Sequence, residues 1–274
     1  MRTKHVGDTS NLLPREGLPG RARSSGVRWF RDDGHTSALV RSGILPVAMA
    51  TTRSSKDKSP GAAAFLPQDR SLKALRQAVQ QCRGCDIYRN ATQAVFGELE
   101  SATYLSGYHN VQMMMVGEQP GDREDKEGHP FVGPAGKLLD KALQEVGIDR
   151  GTVYVTNAVK HFKWEPRGKL RLHKKPSSSE IFACRPWLEA ELEAIQPSLV
   201  VCLGATAAQS ILGAQFKVTQ AHGQIQNKEG FPPILATAHP ASILRALRDE
   251  DRERQLADFV ADLRIAQAYV QTHQ

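Results

Sequence analysis

The sequence predicts an α/β fold built on a largely parallel sheet with helices on both faces. Three observations carry that expectation. Four short apolar runs of strand length recur at 113–117, 153–159, 199–204 and 234–237. Each is followed by polar or Gly-rich residues and, sooner or later, by a stretch of helical spacing. The runs are near-continuously apolar rather than alternating, the pattern of strands covered on both faces.

Taken in order, the first expected helix spans 72–81 by spacing. The first strong strand, 113–117, opens into the most informative segment of the chain, GEQPGDREDKEGHPFVGPAG at 117–136, with five glycines, three prolines and five carboxylates. A loop leaving a strand and entering a helix lies where open α/β sheets bind ligands. So much Gly and Pro implies a backbone on a fixed, close-approaching path. The G-K-[ST] ending of a phosphate-binding P-loop is absent, so the segment is a candidate catalytic loop for something other than a nucleoside triphosphate. Its candidate residues are Glu118, Gln119 and Asp122; the plain alternative is a helix-entry loop whose acids cap backbone N–H groups.

A helix is expected over 135–146, then the run 153–159. Asn157 lies within or just past that strand, where an unpaired buried amide costs about 1–3 kcal/mol. Its carboxamide offers a donor and an acceptor side by side; the alternative is an amide tying two loops together. Helices are expected over 179–195, 205–212 and 251–270. His239 follows the last strand in TAHPASILR and precedes a helix. A lone His is more often structural, but one at a strand's carboxyl end beside other such loops has better standing as a site residue.

The charge is uneven. The 274 residues carry a net +7, and residues 1–60 alone carry +6 (eleven Lys/Arg against five Asp/Glu). The basic balance therefore says little about nucleic acid binding by the core. Residues 1–65 lack sustained periodicity and read as a disordered basic extension, with a second possible start at Met49. Residues 66–274 suffice for one well-buried domain. No stretch approaches a membrane span and no secretory signal opens the chain, so a cytoplasmic, reducing location is expected. There, Cys82-x-x-Cys85 points to metal or redox chemistry before a disulfide. Cys202 reads as a small core residue. Residues 160–175 hold seven Lys/Arg and one Glu, which read plainly as a solvated basic loop.

The pieces GEQPG, PFVGPAG, TNAVK and HPASILR, in that order, resemble the GExPG, PFVGxAG, TNxVK and HPxxxLR motifs of the uracil-DNA glycosylase superfamily. The likeness is to the iron–sulfur family 4 type, and it runs from about Leu72 to Phe259. It implies a three-layer α/β/α sandwich with a central, mostly parallel four-stranded sheet that takes a uracil flipped out of DNA, and no membrane. Phe131 would stack on the base. Asn157 would match its N3–H and O4 edge, with Gln119 and Asp122 completing the pocket. His239 would steady the charge developing on O2. The resemblance also implies a [4Fe–4S] cluster on Cys82, Cys85, Cys184 and His161, the last standing where family 4 has a cysteine; by donor chemistry alone, zinc is the alternative.

The basic stretch after His161 resembles the loop of the UdgX-type branch, as does GEQPGD. That places the branch's covalent histidine on His173, in RLHKKP, with Leu170 where a second Arg is common. The implied reaction excises uracil from DNA, preferably single-stranded, and links His173 to the abasic sugar, with Glu118 holding the imidazole neutral. Lys169, Arg171, Lys174, Lys175 and Arg245 would contact phosphates, and a monomer is expected. The alternatives are a conventional multi-turnover glycosylase whose water is activated by Glu118, and a non-catalytic iron–sulfur sensor of damaged DNA.

Overall fold

The computed structural model describes residues 60–99 and 111–273. The expected extension and the start at Met49 lie outside the described residues, apart from 60–65. Ordered packing begins before Leu66: a 3-10 turn, Ala62–Phe65, buries Ala62.

Four central strands are parallel: β2 (Met113–Gly117), β3 (Val153–Asn157), β6 (Leu199–Leu203) and β8 (Ile234–Thr237). Two-residue strands β1 (Glu98–Leu99) and β7 (Ile225–Gln226) add antiparallel edges, giving the order β1-β3-β2-β6-β8-β7. The sheet thus has six strands rather than four. The edge pairs were too short to show a periodic signal in the sequence. A separate hairpin, β4 (Trp164–Arg167) and β5 (Leu170–His173), replaces the expected basic loop.

Side chains alternate across a strand. On β2, Met114 and Val116 enter one core, and Met113 and Met115 the other. The first core is closed by α1 (Leu72–Val79), α4 (Ser178–Ile195) and α5 (Ala205–Leu212), through Leu75, Trp187 and Ile211. The second is closed by α3 (Pro134–Glu145), α7 (Pro240–Leu244) and α8 (Asp249–Thr272), through Leu139, Ile243, Phe259 and Leu263. These are the three expected layers. Two short helices complete the set, α2 (Asp122–Glu127) inside the Gly-rich segment and α6 (Val218–Ala221) before β7.

β2 has β3 on one side and β6 on the other, so the chain reverses its direction of winding at β2. Ligands bind outside the carboxyl ends of strands at such a point. Register aligns the ends: Gly117 pairs with Asn157, Val116 with Cys202, and Leu203 with Thr237. Glu118, Asn157, Gly204 and His239 therefore emerge along one edge.

Phe131 holds φ 59, in the left-handed region that bulky residues avoid. Such a conformation costs on the order of 1–3 kcal/mol and persists only where its surroundings impose it. Here α3 closes under it. A Cβ on Gly136 would overlap the Phe131 carbonyl, and Glu124 Oε1 accepts the Gly133 amide at 2.9 Å. Gly136→Ala is expected to displace the Phe131 loop, lowering the melting temperature together with affinity for the site's ligand, whereas Ala135→Gly lowers only the former.

Candidate active site

A cavity of about 1000 Å³ opens at the carboxyl edge of the sheet. Glu118, Phe131, Asn157, His173, Thr206 and His239 all line it, from loops that lie far apart in sequence.

Asn157 is buried, yet its carboxamide has no hydrogen-bond partner among the described residues. A buried amide left in that state calls for a ligand. The Phe131 ring and Asn157 Oδ1 both crowd Gly117, closely enough that a Cβ there would overlap them. An aromatic face and an amide edge therefore converge on one point. The Phe131 and His239 rings lie near-parallel, with centroids 6.3 Å apart and an interplanar angle of 22°.

His239 caps α7, its Nδ1 accepting the Ala241 amide at 3.0 Å. That bond settles the tautomer: the ring proton sits on Nε2. Burial first, then the positive Arg245 and His173, pushes its pKa down to about 4. His239 is thus a neutral donor at physiological pH, suited to a developing oxyanion. The same shift has a stability consequence. Below the ordinary value of 6.5 the unfolded chain takes up a proton that folded His239 refuses, so stability present above 6.5 is lost as pH falls towards about 4. Melting temperatures recorded across that window should fall more steeply for the native protein than for His239→Gln.

Glu118 lies between two partners. One oxygen accepts the Thr206 hydroxyl. The other stands 3.5 Å from His173 Nε2, a loose contact rather than a strong hydrogen bond. Burial, with Arg245, lowers the His173 pKa against the opposing pull of Glu118, favouring a neutral ring.

The hairpin carries His173, and three buried anchors set its position. Gln119 Nε2 donates to the carbonyls of Lys163 and Lys174, at 3.2 and 3.0 Å, while its Oε1 accepts the Lys163 amide at 3.1 Å. Its carboxamide is committed to the hairpin's base, which corrects the expectation that it reads a nucleobase. Asp122 likewise turns to Arg171 and Lys126 instead of the cavity's centre. Arg171 is largely buried, paired with Asp122 and with Asp125 (2.6 Å to the latter), and packed on the Phe162 and Trp164 rings at 5.3 and 5.4 Å. It holds the hairpin and is not available to a phosphate. Lys174 pairs with Glu165 across the hairpin at 2.9 Å. Lys169 is exposed at the hairpin's turn, and Lys175 and Arg245 lie at the cavity's margin, open to an incoming strand.

Behind the cavity, buried Lys160 donates to Thr156 Oγ1 and the Asn157 carbonyl, both at 2.7 Å, and to Glu191. Glu191 also accepts from Tyr154, Thr156 and the Gly97 amide. Nothing in the sequence marked this network, because Glu191 looks like any polar position of a long helix. The hairpin did leave a signal: Leu170 and Leu172 alternate with Arg171 and His173 after a Gly-Lys pair, a period of two behind a turn.

Cys82, Cys85, Cys184 and His161 are all buried. The three sulfurs lie close enough that charge on one opposes ionisation of the next, and burial pushes Cys184 up to about 12. Trp187 Nε1 donates to Cys82 Sγ at 3.2 Å and the Lys160 amide to Cys184 Sγ at 3.3 Å. Such donors stabilise thiolates bound to metal. Burial pushes His161 down to about 4, leaving it neutral as a ligand must be. Among the described residues, no three His, Cys, Asp or Glu side chains meet at a point that a single ion would occupy. The donor set therefore suits a polynuclear cluster, with one ligand per iron, better than tetrahedral zinc.

An α/β sandwich whose switch-point cavity sets an aromatic ring, an unpartnered carboxamide and a neutral imidazole donor around one point defines a protein that grips a flat, polar heterocycle. Comparison with known proteins names the kind. The family model described as "Uracil DNA glycosylase superfamily" matches residues 106–264, and the chain belongs to that superfamily. It is 35% identical over 202 residues to a type-4 uracil-DNA glycosylase of Sulfurisphaera tokodaii, covering 68% of this chain and 85% of that protein. It is 34% identical over 189 residues to the type-4 enzyme of Thermotoga maritima, covering 69% and 91%. The type-4 enzyme of Archaeoglobus fulgidus is 34% identical over 196 residues, covering 69% and 90%. No helix among the described residues is long and apolar enough to cross a membrane.

Proposed function

We propose that this protein excises uracil from DNA and is captured on the abasic sugar through His173, as a UdgX-type member of its superfamily. The observation that carries the base-binding part is Asn157, buried with an unpartnered carboxamide beside the Phe131 ring. A carboxamide pairs with the N3–H and O4 of uracil, whereas cytosine presents the opposite pattern there. A base already outside a duplex costs no unpairing, which favours single-stranded DNA.

The bond from uracil N1 to C1′ breaks with its electron pair leaving on uracil. The His239 Nε2–H stabilises the resulting charge at O2. His239→Ala is expected to lower single-turnover excision roughly 10²–10³-fold, the usual cost of one oxyanion donor. The neutral His173 then attacks C1′ through its unprotonated nitrogen, forming an N–C bond. Glu118 accepts the proton that the new imidazolium carries on its other nitrogen. His173 rather than water is favoured because it shares the cavity wall with Glu118 and is held there by a clamped hairpin.

Cys82, Cys85, Cys184 and His161 would hold a [4Fe–4S] cluster that braces the chain behind the pocket. The buried thiols and their N–H donors support it.

The test is a denaturing gel with a single-stranded uracil-containing oligonucleotide. A band shifted by the mass of the protein and stable to boiling in detergent is the expected result. Free abasic product in molar excess over protein would establish a water nucleophile instead. No uracil release at any protein excess would leave only the damage-sensor reading.

A further inference from the structure

The cavity is larger than one pyrimidine and its sugar require. Past His239 it continues as an arm between α6 and α8, lined by Val218, Thr219, His222, Gln255, Asp258 and Asp262. This arm contains a built polar device that the reaction above leaves unused. Asp262 sits in the middle of α8, on the turn shared with buried Phe259, Leu263 and Ala266, and is itself buried. A carboxylate in that setting is costly unless it is bonded. Thr237 Oγ1 donates to it at 2.6 Å, and His222 Nδ1 stands 3.0 and 3.2 Å from its two oxygens. The carboxylate therefore orients the half-exposed imidazole, its proton on Nδ1 and the lone pair of Nε2 left for the arm.

The arm's chemistry selects its occupant. None of its lining residues is Lys or Arg, and Asp258 and Asp262 are acids, so a phosphate is disfavoured. The His222 Nε2, the Asp258 carboxylate and the Gln255 carbonyl are acceptors. They suit a hydrogen-bond donor on a group small enough to enter beside the flipped nucleotide. We infer that the arm is a subsite for the base next to the uracil on the same strand, and that it favours bases bearing an exocyclic amine over thymine. The inference rests on the uracil-excision reading. It makes His222 and Asp258 determinants of sequence context.

Single-turnover excision is measured with the full chain on single-stranded oligonucleotides, varying first the 5′ and then the 3′ neighbour of uracil. The expected result is a preference of roughly fivefold or more for adenine or cytosine over thymine on one side only, the discrimination a good base contact supplies. His222→Ala removes that preference and leaves the rate with a thymine neighbour unchanged. His222→Gln, whose carboxamide bridges Asp262 and the arm in the same manner, restores it, which a merely structural role would not do. Equal rates for all neighbours in the native protein, or a uniform loss in His222→Ala, would overturn the subsite while leaving excision intact. Failure to excise uracil in any context would overturn the excision reading and the subsite with it.

Discussion

His173→Gly is expected to abolish the boiling-resistant adduct with uracil-containing DNA while leaving the fold intact. The side chain is about half exposed, so its loss opens no core cavity. The hairpin keeps its remaining anchors, Gln119, Arg171 and the Trp164 indole, which donates to the Asn90 carbonyl at 2.7 Å. Glycine leaves a water-sized gap beside Glu118, whose carboxylate then faces solvent and can act as a base. Uracil release should therefore persist, with product exceeding one equivalent per protein. Two measurements on the same samples check this: adduct by denaturing gel, and free uracil by chromatography. An adduct that survives the substitution would show that another nucleophile captures the sugar. Loss of both signals with an unchanged melting curve would mean that His173 also acts before the bond breaks.

Glu191→Ala is expected to destabilise the protein by about 3–5 kcal/mol, the usual cost of breaking a buried ion pair from one side. Glu191 and Lys160 are fully buried. Removing the carboxylate strands the ammonium without a counter-charge and leaves the Gly97 amide and Tyr154 hydroxyl short of an acceptor. Lys160 also supports the Asn157 carbonyl, so the base-reading strand end should shift with it. Urea unfolding measures the cost, and inhibition by free uracil reports the state of the pocket. The paired change Glu191→Leu with Lys160→Met should cost less than Glu191→Ala alone, because no unpaired charge is left behind. A double variant that is additive, with each half as costly alone, would mean that the pair acts through packing rather than charge.

Much of this was legible in the residues because the signals are local. The four parallel strands fall where apolar runs of strand length stand, and α5 spans the 205–212 of its pattern. Glu118, Asn157 and His239 follow strands directly, and any parallel sheet brings such positions to one edge. The sheet's two edges, by contrast, are strands of two residues, too short for a period. The basic loop became a hairpin because Arg171 found carboxylates on α2 and two aromatic rings, partners far away in sequence.

By itself, the sequence determined the layering, the switch-point loop and the residue types of the pocket, since periodicity and strand-end position follow from nearest neighbours along the chain. Tertiary structure alone decided which polar groups remain free for a ligand. Gln119, Asp122 and Arg171 look like binding residues until their partners are seen. Those partners consume them in clamping the hairpin, and only Asn157, His239 and His173 are left facing the cavity. A hydrogen-bonding group can serve a ligand only if the fold has not already satisfied it, and that balance is struck between residues forty or more positions apart.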